Sequence, residues 1–111
     1  NIIEKITVGM EIKHRKSTTR IILHHAESSN CTADDIHQWH LNRGWIGIGY
    51  NFFVRKDGSI YRGRPENAVG SHASGANSNS IGICAEGRYM TEQLPTSNQH
   101  SHAINNDIII D

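Results

Sequence analysis

A short run of aliphatic residues near position 20 ends in two adjacent histidines. Residues 20–26, RIILHHA, are rich in β-branched and aliphatic side chains, which predicts a β-strand. Successive residues of a strand point to opposite faces of the sheet, so His24 and His25 cannot both face the same site. One histidine is therefore available to a site, and the other has a different role.

Residues 31–44, CTADDIHQWHLNRG, predict an α-helix with signals at both of its ends. Thr32 can cap the first turn, and Asp35, three residues later, completes a capping box and complements the helix dipole. Gly44 suits the left-handed position that closes a helix. These signals bound one helix between two stretches of extended chain.

The face that this helix turns to the sheet is set by its apolar residues. Their spacing makes Trp39 the expected anchor on the sheet. His37 and His40 are three residues apart, a spacing that can bind a metal ion, but no further ligand is near them in the sequence. Histidines at the edge of the core are the simpler interpretation of this pair.

Residues 49–65, GYNFFVRKDGSIYRGRP, predict a β-hairpin. The Asp-Gly pair at 57–58 supplies the turn, and aromatic and β-branched residues flank it on both sides. Strand alternation predicts that Tyr50 shares one face with Phe52 and Val54. Tyr50 then lies at the start of a strand, where its hydroxyl can reach a cleft.

Residues 68–80 consist largely of Gly, Ser, Ala and Asn and predict a shaped loop, a kind of segment that often carries binding groups. The next residues, 80–87 (SIGICAEG), predict a buried strand with Ile83 on one face and Cys84 with Glu86 on the other. The order strand, helix, hairpin, loop and strand predicts an α/β (α+β) domain with one mixed central sheet flanked by helices.

Composition sets the broad class of the protein. The 111 residues suffice for one domain, and the net charge is zero with histidine neutral, which gives no general attraction to nucleic acid. Cys31 and Cys84 match no metal or redox spacing, and free thiols are the simpler interpretation. No apolar stretch is long enough to span a membrane, and no signal peptide is visible at the N-terminus.

Three segments together resemble one enzyme family. Residues 21–26 (IILHHA), 38–65 (QWHLNRGWIGIGYNFFVRKDGSIYRGRP) and 69–87 (VGSHASGANSNSIGICAEG) resemble the type 2 N-acetylmuramoyl-L-alanine amidases, which include phage and clostridial endolysins and peptidoglycan recognition proteins. The resemblance implies one amidase-like domain over residues 1–111. Residues 1–18 form an extended arm, residues 19–98 form the family-matching core, and residues 99–111 form a partial helix or altered tail.

The family resemblance also implies a reaction. Such enzymes use one zinc ion to hydrolyse the amide between N-acetylmuramic acid and L-alanine in peptidoglycan, and His24 matches the zinc ligand on the strand. His25 then points to the opposite face. Zinc with an open coordination position lowers the pKa of its bound water to about 7, which makes hydroxide available near neutral pH. The expected partner is peptidoglycan or a muropeptide, with no nucleic acid and no membrane, and the expected place of action is the bacterial cell wall.

Three further residues match functional positions of the family, and a fourth, Glu86, lies two residues after such a position. Tyr50 would donate a hydrogen bond to the attacking water or the developing oxyanion, the alternative being a half-buried structural tyrosine. Glu86 is a candidate catalytic substitute for an acidic residue that some relatives carry at the position of Cys84. His72 and Asn77 are expected to bind the muropeptide, and the alternative for Asn77 is a bond to its own backbone.

One departure from the family pattern changes this expectation. The family's other two zinc ligands come from a later segment containing histidine and cysteine, and no such segment stands before Asp111; His100 and His102 are more simply solvated residues. We therefore expect a domain truncated at its C-terminus, with an incomplete zinc site and an uncovered sheet face that favours self-association. A peptidoglycan-binding module without catalysis is the alternative function. A histidine metal nuclease is disfavoured by the charge balance.

Overall fold

The structure, a computed structural model, describes residues 1–9 and 12–91. Within them one helix and five strands form a mixed α+β fold, as the sequence predicts. The elements are β1 (Ile2–Ile3), β2 (Arg20–His25), α1 (Ala33–Asn42), β3 (Phe52–Val54), β4 (Ile60–Arg62), a single 3-10 turn (Asn77–Asn79) and β5 (Ser80–Ala85). The helix or tail predicted for residues 99–111 lies outside the described residues.

The five strands form one mixed sheet in the order β1-β4-β3-β5-β2. Strand β5 pairs in parallel with both β2 and β3, while β3 and β4 form the predicted antiparallel hairpin. The register places His24 opposite Cys84. The histidine pair thus stands at the carboxyl end of β2, beside the buried strand β5, where loops from neighbouring parallel strands converge.

The two faces of the sheet carry separate apolar clusters. Ile83 and Ala85 pack with Phe52 and Val54 on one face, and Cys84 packs with α1 on the other. This arrangement confirms the alternation predicted for β5. It corrects the face predicted for Tyr50, which packs with Cys84 and not with Phe52, because β3 begins only at Phe52 and the strand alternation does not extend back to Tyr50.

The ends of α1 agree with the sequence signals. The Thr32 hydroxyl accepts a hydrogen bond from the backbone N–H of Asp35, whose carboxylate accepts one from the backbone N–H of Thr32, and Gly44 follows with φ of 86°. The predicted anchor is wrong: Trp39 is 42% exposed, whereas Ile36 is buried. The buried stripe runs through positions 33, 36 and 40, which leaves position 39 at its border.

The described residues of the N-terminal arm, 1–9 and 12–18, contact the sheet and the segment before the predicted loop. Its first residues pair with β4, and the backbone N–H of Arg15 and the carbonyl of Lys13 bond to Asn67 and Val69. The Arg15 guanidinium donates to the carbonyl oxygens of Glu66 and Ala68. The arm therefore holds the segment that leads into the loop. Across the described ranges, no helix is long and apolar enough to cross a membrane.

Candidate active site

His24 and His72 are in direct contact although 48 positions separate them in sequence. The end of β2 places His24, and the loop before β5 places His72. The His24 Nε2 atom lies 2.9 Å from the His72 Nδ1 atom, and the two rings meet edge to face with centroids 5.0 Å apart. A predicted metal ligand and a predicted substrate-binding residue thus form one hydrogen-bonded pair.

His25 faces away from this pair, as strand geometry requires. Its Nδ1 atom accepts a hydrogen bond of 3.0 Å from the backbone N–H of Tyr89, and its ring packs beside the Tyr89 ring. Its Nε2 atom lies 4.0 Å from the carboxylate of Glu27. His25 therefore secures the chain that follows β5, while His24 serves the opposite face.

Tyr50 completes a cluster of rings around His24. Its ring centroid lies 5.3 Å from that of His24 and 6.5 Å from that of His72. Burial, followed by the electrostatic effect of the nearby Cys84 thiol, raises the pKa of Tyr50 above its usual value of 10.0. The phenol therefore remains protonated near neutral pH and can act as a hydrogen-bond donor.

Both helix histidines accept backbone hydrogen bonds. The Nδ1 atom of His37 accepts from the N–H of Ile48 at 3.0 Å, and that of His40 accepts from the N–H of Gly49 at 2.8 Å. These nitrogen lone pairs are occupied, which supports a structural role for the pair. Burial, followed by the nearby charge of Arg43, lowers the pKa of His40 to about 4.

His40 is a residue of the site that the sequence interpretation missed. Its neutral ring packs on Trp45 with centroids 4.6 Å apart and on Tyr50 with centroids 5.6 Å apart. Together with its bond to Gly49, these contacts fix the chain that leads into Tyr50. The available signal was its position on the buried stripe of α1, seven residues after Ala33.

The loop that carries His72 is shaped by Asn77. The Asn77 Oδ1 atom accepts hydrogen bonds from the backbone N–H groups of His72 and Ala73, at 2.9 and 2.8 Å. This is the self-bonding alternative considered for Asn77. The residue also lines a groove of about 380 Å³ with His72 and Trp45, so a contact with substrate stays a prediction.

The His72 ring is confined by two glycines. A Cβ atom at Gly82 would stand 2.5 Å from the ring, and one at Gly70 would stand 2.6 Å from it, so only glycine allows this close packing. Burial, followed by the neighbouring His24, lowers the pKa of His72 to about 4. Burial also lowers the pKa of His24, so both rings are neutral near pH 7.

Tyr50 borders a second groove. It has a volume of about 190 Å³ and is bordered by Trp39, Arg43 and Glu27 as well as by His40 and Tyr50. The Arg43 guanidinium stacks over the Trp45 ring at 5.3 Å, which places a cation between the two grooves. The larger cavity of about 750 Å³, at Arg15, Thr18 and Ile81 among others, shares no lining residue with either groove.

Glu86 makes hydrogen bonds and an ion pair, and none of these partners belongs to the cluster of rings around His24. Its buried carboxylate accepts hydrogen bonds from the backbone N–H groups of Cys31 and Lys56 and pairs with Arg55. Burial acts to raise the pKa of Glu86, but these hydrogen bonds outweigh it and hold the pKa below its usual value. The contacts support a structural role, and the catalytic role suggested for Glu86 stays a prediction.

Asn51 is a second residue that the sequence interpretation missed. It is fully buried, and its side chain accepts from the N–H of Gly82 and donates to the carbonyls of Pro65 and Ala68. Asn51 thereby ties β5 to the segment before the His72 loop. A polar residue within the apolar run GYNFF was the available signal.

The described residues supply only part of a metal site. Residues 1–9 and 12–91 contain no group of three or more His, Cys, Asp and Glu side chains that could hold a metal ion. His24, as a neutral imidazole beside Tyr50, has the chemistry of one ligand, whereas a catalytic zinc ion needs three.

Comparisons with known proteins show which family the chain resembles. The family described as N-acetylmuramoyl-L-alanine amidase matches residues 14–105. The endolysin of Escherichia phage T7 is 44% identical over 81 residues, which cover 70% of this chain and 54% of that protein. The chain spans about half the length of the curated phage endolysins that it matches.

Solved structures show the same fold. The endolysin amidase LysCS from Clostridium intestinale URNW matches with a TM-score of 0.85 and 42% identity, over 94% of this chain and 68% of that one. A mutant of Drosophila PGRP-LB in complex with tracheal cytotoxin matches with a TM-score of 0.84 and 29% identity, over 96% of this chain and 71% of that one. The chain belongs to the N-acetylmuramoyl-L-alanine amidase family.

Proposed function

We propose that this protein hydrolyses the amide bond between N-acetylmuramic acid and L-alanine in peptidoglycan. The observation that carries the proposal is the position of Tyr50 beside His24: Tyr50 borders one groove, and His72, whose ring lies near both, borders another. The two grooves can hold the two sides of the scissile amide. A sugar and a peptide must extend in different directions from that bond. Family membership supplies the reaction class, and the site lies where such a substrate fits.

Tyr50 is the side chain that we assign to the reacting amide. Its phenol stays protonated, so it can donate a hydrogen bond to the carbonyl oxygen as negative charge develops there. Half-burial of the ring and its contact with His40 hold the donor in place before substrate arrives. Donation from a fixed position contributes more to the transition state than donation from a mobile side chain.

Zinc dependence is part of the proposal, with His24 as a ligand. When bound, zinc would provide an activated water near neutral pH. The described part of the chain offers no complete ligand set, so further ligands must come from residues outside it. His72 and Asn77 are assigned to the muropeptide groove, since both line it.

Hydrolysis is tested with purified muropeptide and zinc, by the appearance of a free L-alanine amino group. The 111-residue chain and a longer product of its gene are compared side by side. We expect hydrolysis by the product with a complete ligand set and little by the shorter chain. Equal, chelator-sensitive hydrolysis by both would show that residues of this chain complete the zinc site.

A peptidoglycan-binding module is the second candidate function. It is favoured by the absence of a three-ligand metal group among residues 1–9 and 12–91, while the residues that line both grooves lie within these ranges. Calorimetry with muropeptide in the presence of a chelator separates the candidates. Binding without hydrolysis by every length of the protein, even with zinc, would favour the binding module.

We also propose that the chain self-associates through an uncovered sheet face. Ile21 and Leu23 lie on the same face of β2 and are 39% and 52% exposed among the described residues. Exposed apolar side chains that share a face favour burial against a second chain. Size-exclusion chromatography over a range of concentrations tests this, and Leu23→Lys should shift the elution toward the monomer.

A further inference from the structure

A chain of hydrogen bonds behind the site begins at a group that can only accept. The carbonyl oxygen of Ala76 receives the hydroxyl of Ser80 at 2.7 Å. Ser80 is fully buried, and a serine hydroxyl has a single hydrogen. Because that hydrogen is committed to Ala76, the Ser80 Oγ atom is left as an acceptor toward its other neighbour.

That neighbour is the Nε2 atom of His72, 3.4 Å from the Ser80 Oγ atom. A hydrogen bond between them requires the proton on the His72 nitrogen. The opposite direction would need the Ser80 hydrogen to leave the 2.7 Å contact for the 3.4 Å contact, and it would leave the half-buried Ala76 carbonyl without this bond. The geometry therefore favours the Nε2–H tautomer of His72.

A neutral His72 with its proton on Nε2 has a bare Nδ1 atom, which must accept. The facing atom is Nε2 of His24, at 2.9 Å. We propose that the sequence Ala76 carbonyl, Ser80, His72 and His24 is a directed hydrogen-bond chain that holds His24 as the Nε2–H tautomer and leaves its Nδ1 lone pair free. His72 is then a positioning residue for His24, in addition to lining the groove.

The packing around His72 fixes the geometry of this series of hydrogen bonds. The ring has no room to withdraw, because Gly70 and Gly82 lie directly against it. The loop backbone is held by Asn77, which accepts the N–H of His72 itself. Ring position and backbone position are therefore both fixed before any ligand binds.

The arrangement prepares one nitrogen of His24 for a metal. A histidine that binds a metal commonly donates its other ring N–H to a neighbouring acceptor, which fixes its orientation and makes it a better ligand. Here that acceptor is an imidazole. Only this last step, metal binding at Nδ1, rests on the proposed function; the tautomer itself depends on the apo protein alone.

The test is a long-range ¹H–¹⁵N correlation spectrum of the 111-residue chain, labelled at histidine nitrogen, without metal and near neutral pH. We expect His24 and His72 both to carry their proton on Nε2. A His24 protonated on Nδ1, or an even mixture of its tautomers, would overturn the proposal. The wild-type spectrum decides this without any variant, so a folding defect in a mutant cannot obscure it.

Variants then test the positioning role of His72. His72→Asn places an amide oxygen near the former Nδ1 atom, so it should keep His24 in the Nε2–H form, whereas His72→Ala should release it to a mixture. His14→Asn, at an exposed histidine outside the site, is the matched control and should change nothing. An unchanged His24 tautomer in folded His72→Ala would contradict the role assigned to His72.

Zinc added to the same sample separates this inference from the proposed function. We expect the His24 Nδ1 signal to shift while the Nε2 proton is retained. Binding through Nε2, with loss of that proton, would overturn the directed chain even if the protein proves to be an amidase. Conversely, the metal-free tautomer result stands if no hydrolysis is ever detected.

Discussion

Glu86 and Arg55 form a two-point ion pair at the end of β5. The Arg55 Nε and Nη2 atoms lie 3.2 and 2.9 Å from the two carboxylate oxygens of Glu86, whose side chain is only 3% exposed. The same carboxylate receives the backbone N–H groups of Cys31 and Lys56. One acidic side chain thus joins the hairpin, the strand and the residue before the cap of α1.

Glu86→Gln should destabilise the fold by about 1–3 kcal/mol, because a buried charge-assisted network loses its anion while Arg55 keeps partial access to water. The folded pKa of Glu86 lies below its ordinary value of 4.5, so its contribution is complete above that pH and is lost as the pH falls through the folded pKa. Urea unfolding across the acidic range checks both statements.

The matched control for this substitution is Glu66→Gln, at an exposed carboxylate. It should leave the unfolding free energy and its pH dependence close to wild type. If the unfolding free energy of Glu86→Gln equals that of the control, the network does not stabilise the fold. A catalytic role for Glu86 would then be the better explanation of its burial.

Tyr50→Phe should reduce hydrolysis roughly 10²–10³-fold in kcat, the range for the loss of one preorganised oxyanion donor. Muropeptide affinity should change little, because the ring and its packing on His40 remain. The comparison is with Tyr61→Phe, which removes a phenol outside the ring cluster. A parallel loss of kcat in both variants would indicate a general effect of removing a hydroxyl.

Gly82→Ala should displace His72, since the new Cβ atom would stand 2.5 Å from its ring. Overpacking of this kind costs about 1–3 kcal/mol. Muropeptide binding, measured by calorimetry on protein shown to be folded, should weaken along with stability. Ser78→Ala, at an exposed position of the loop that carries His72, serves as control, and unaltered binding by Gly82→Ala would mean that His72 does not shape the groove.

Zinc should bind the 111-residue chain weakly, because the described residues include no group of three ligands around His24. Titration with a fluorescent zinc indicator measures the affinity, and His24→Ala should remove the site. Tight stoichiometric binding that survives His24→Ala would rule out His24 as the ligand. Tight binding that depends on His24 would point to ligands among residues 92–111.

Local signals in the sequence were enough to predict much of the fold. Two confirmed predictions depend only on residues that are two or three positions apart in the sequence. They are the capping box of Thr32 and Asp35 and the alternation of faces along β5. The exposure of Trp39 was not predictable, because the helical spacing defines a stripe but not its exact centre. The face of Tyr50 differs from the prediction because strand alternation begins only at Phe52.

The candidate site required contacts that sequence spacing cannot reveal. His72 meets His24 across 48 residues only because β5 and β2 are parallel neighbours. The backbone bonds of His37 and His40 depend on how the chain returns past α1. Family resemblance identified the residues, and the three-dimensional structure was needed to show which of them touch.

The central claim, an amidase site at Tyr50 and His24, is tested most directly by mass spectrometry of peptidoglycan digested by the longest product of this gene with zinc. The account predicts stem peptides with a new L-alanine amino terminus and glycan strands whose lactyl groups end in a free carboxylate, and loss of both products in His24→Ala. New reducing ends on the sugars, or cleavage within the stem peptide, would contradict it.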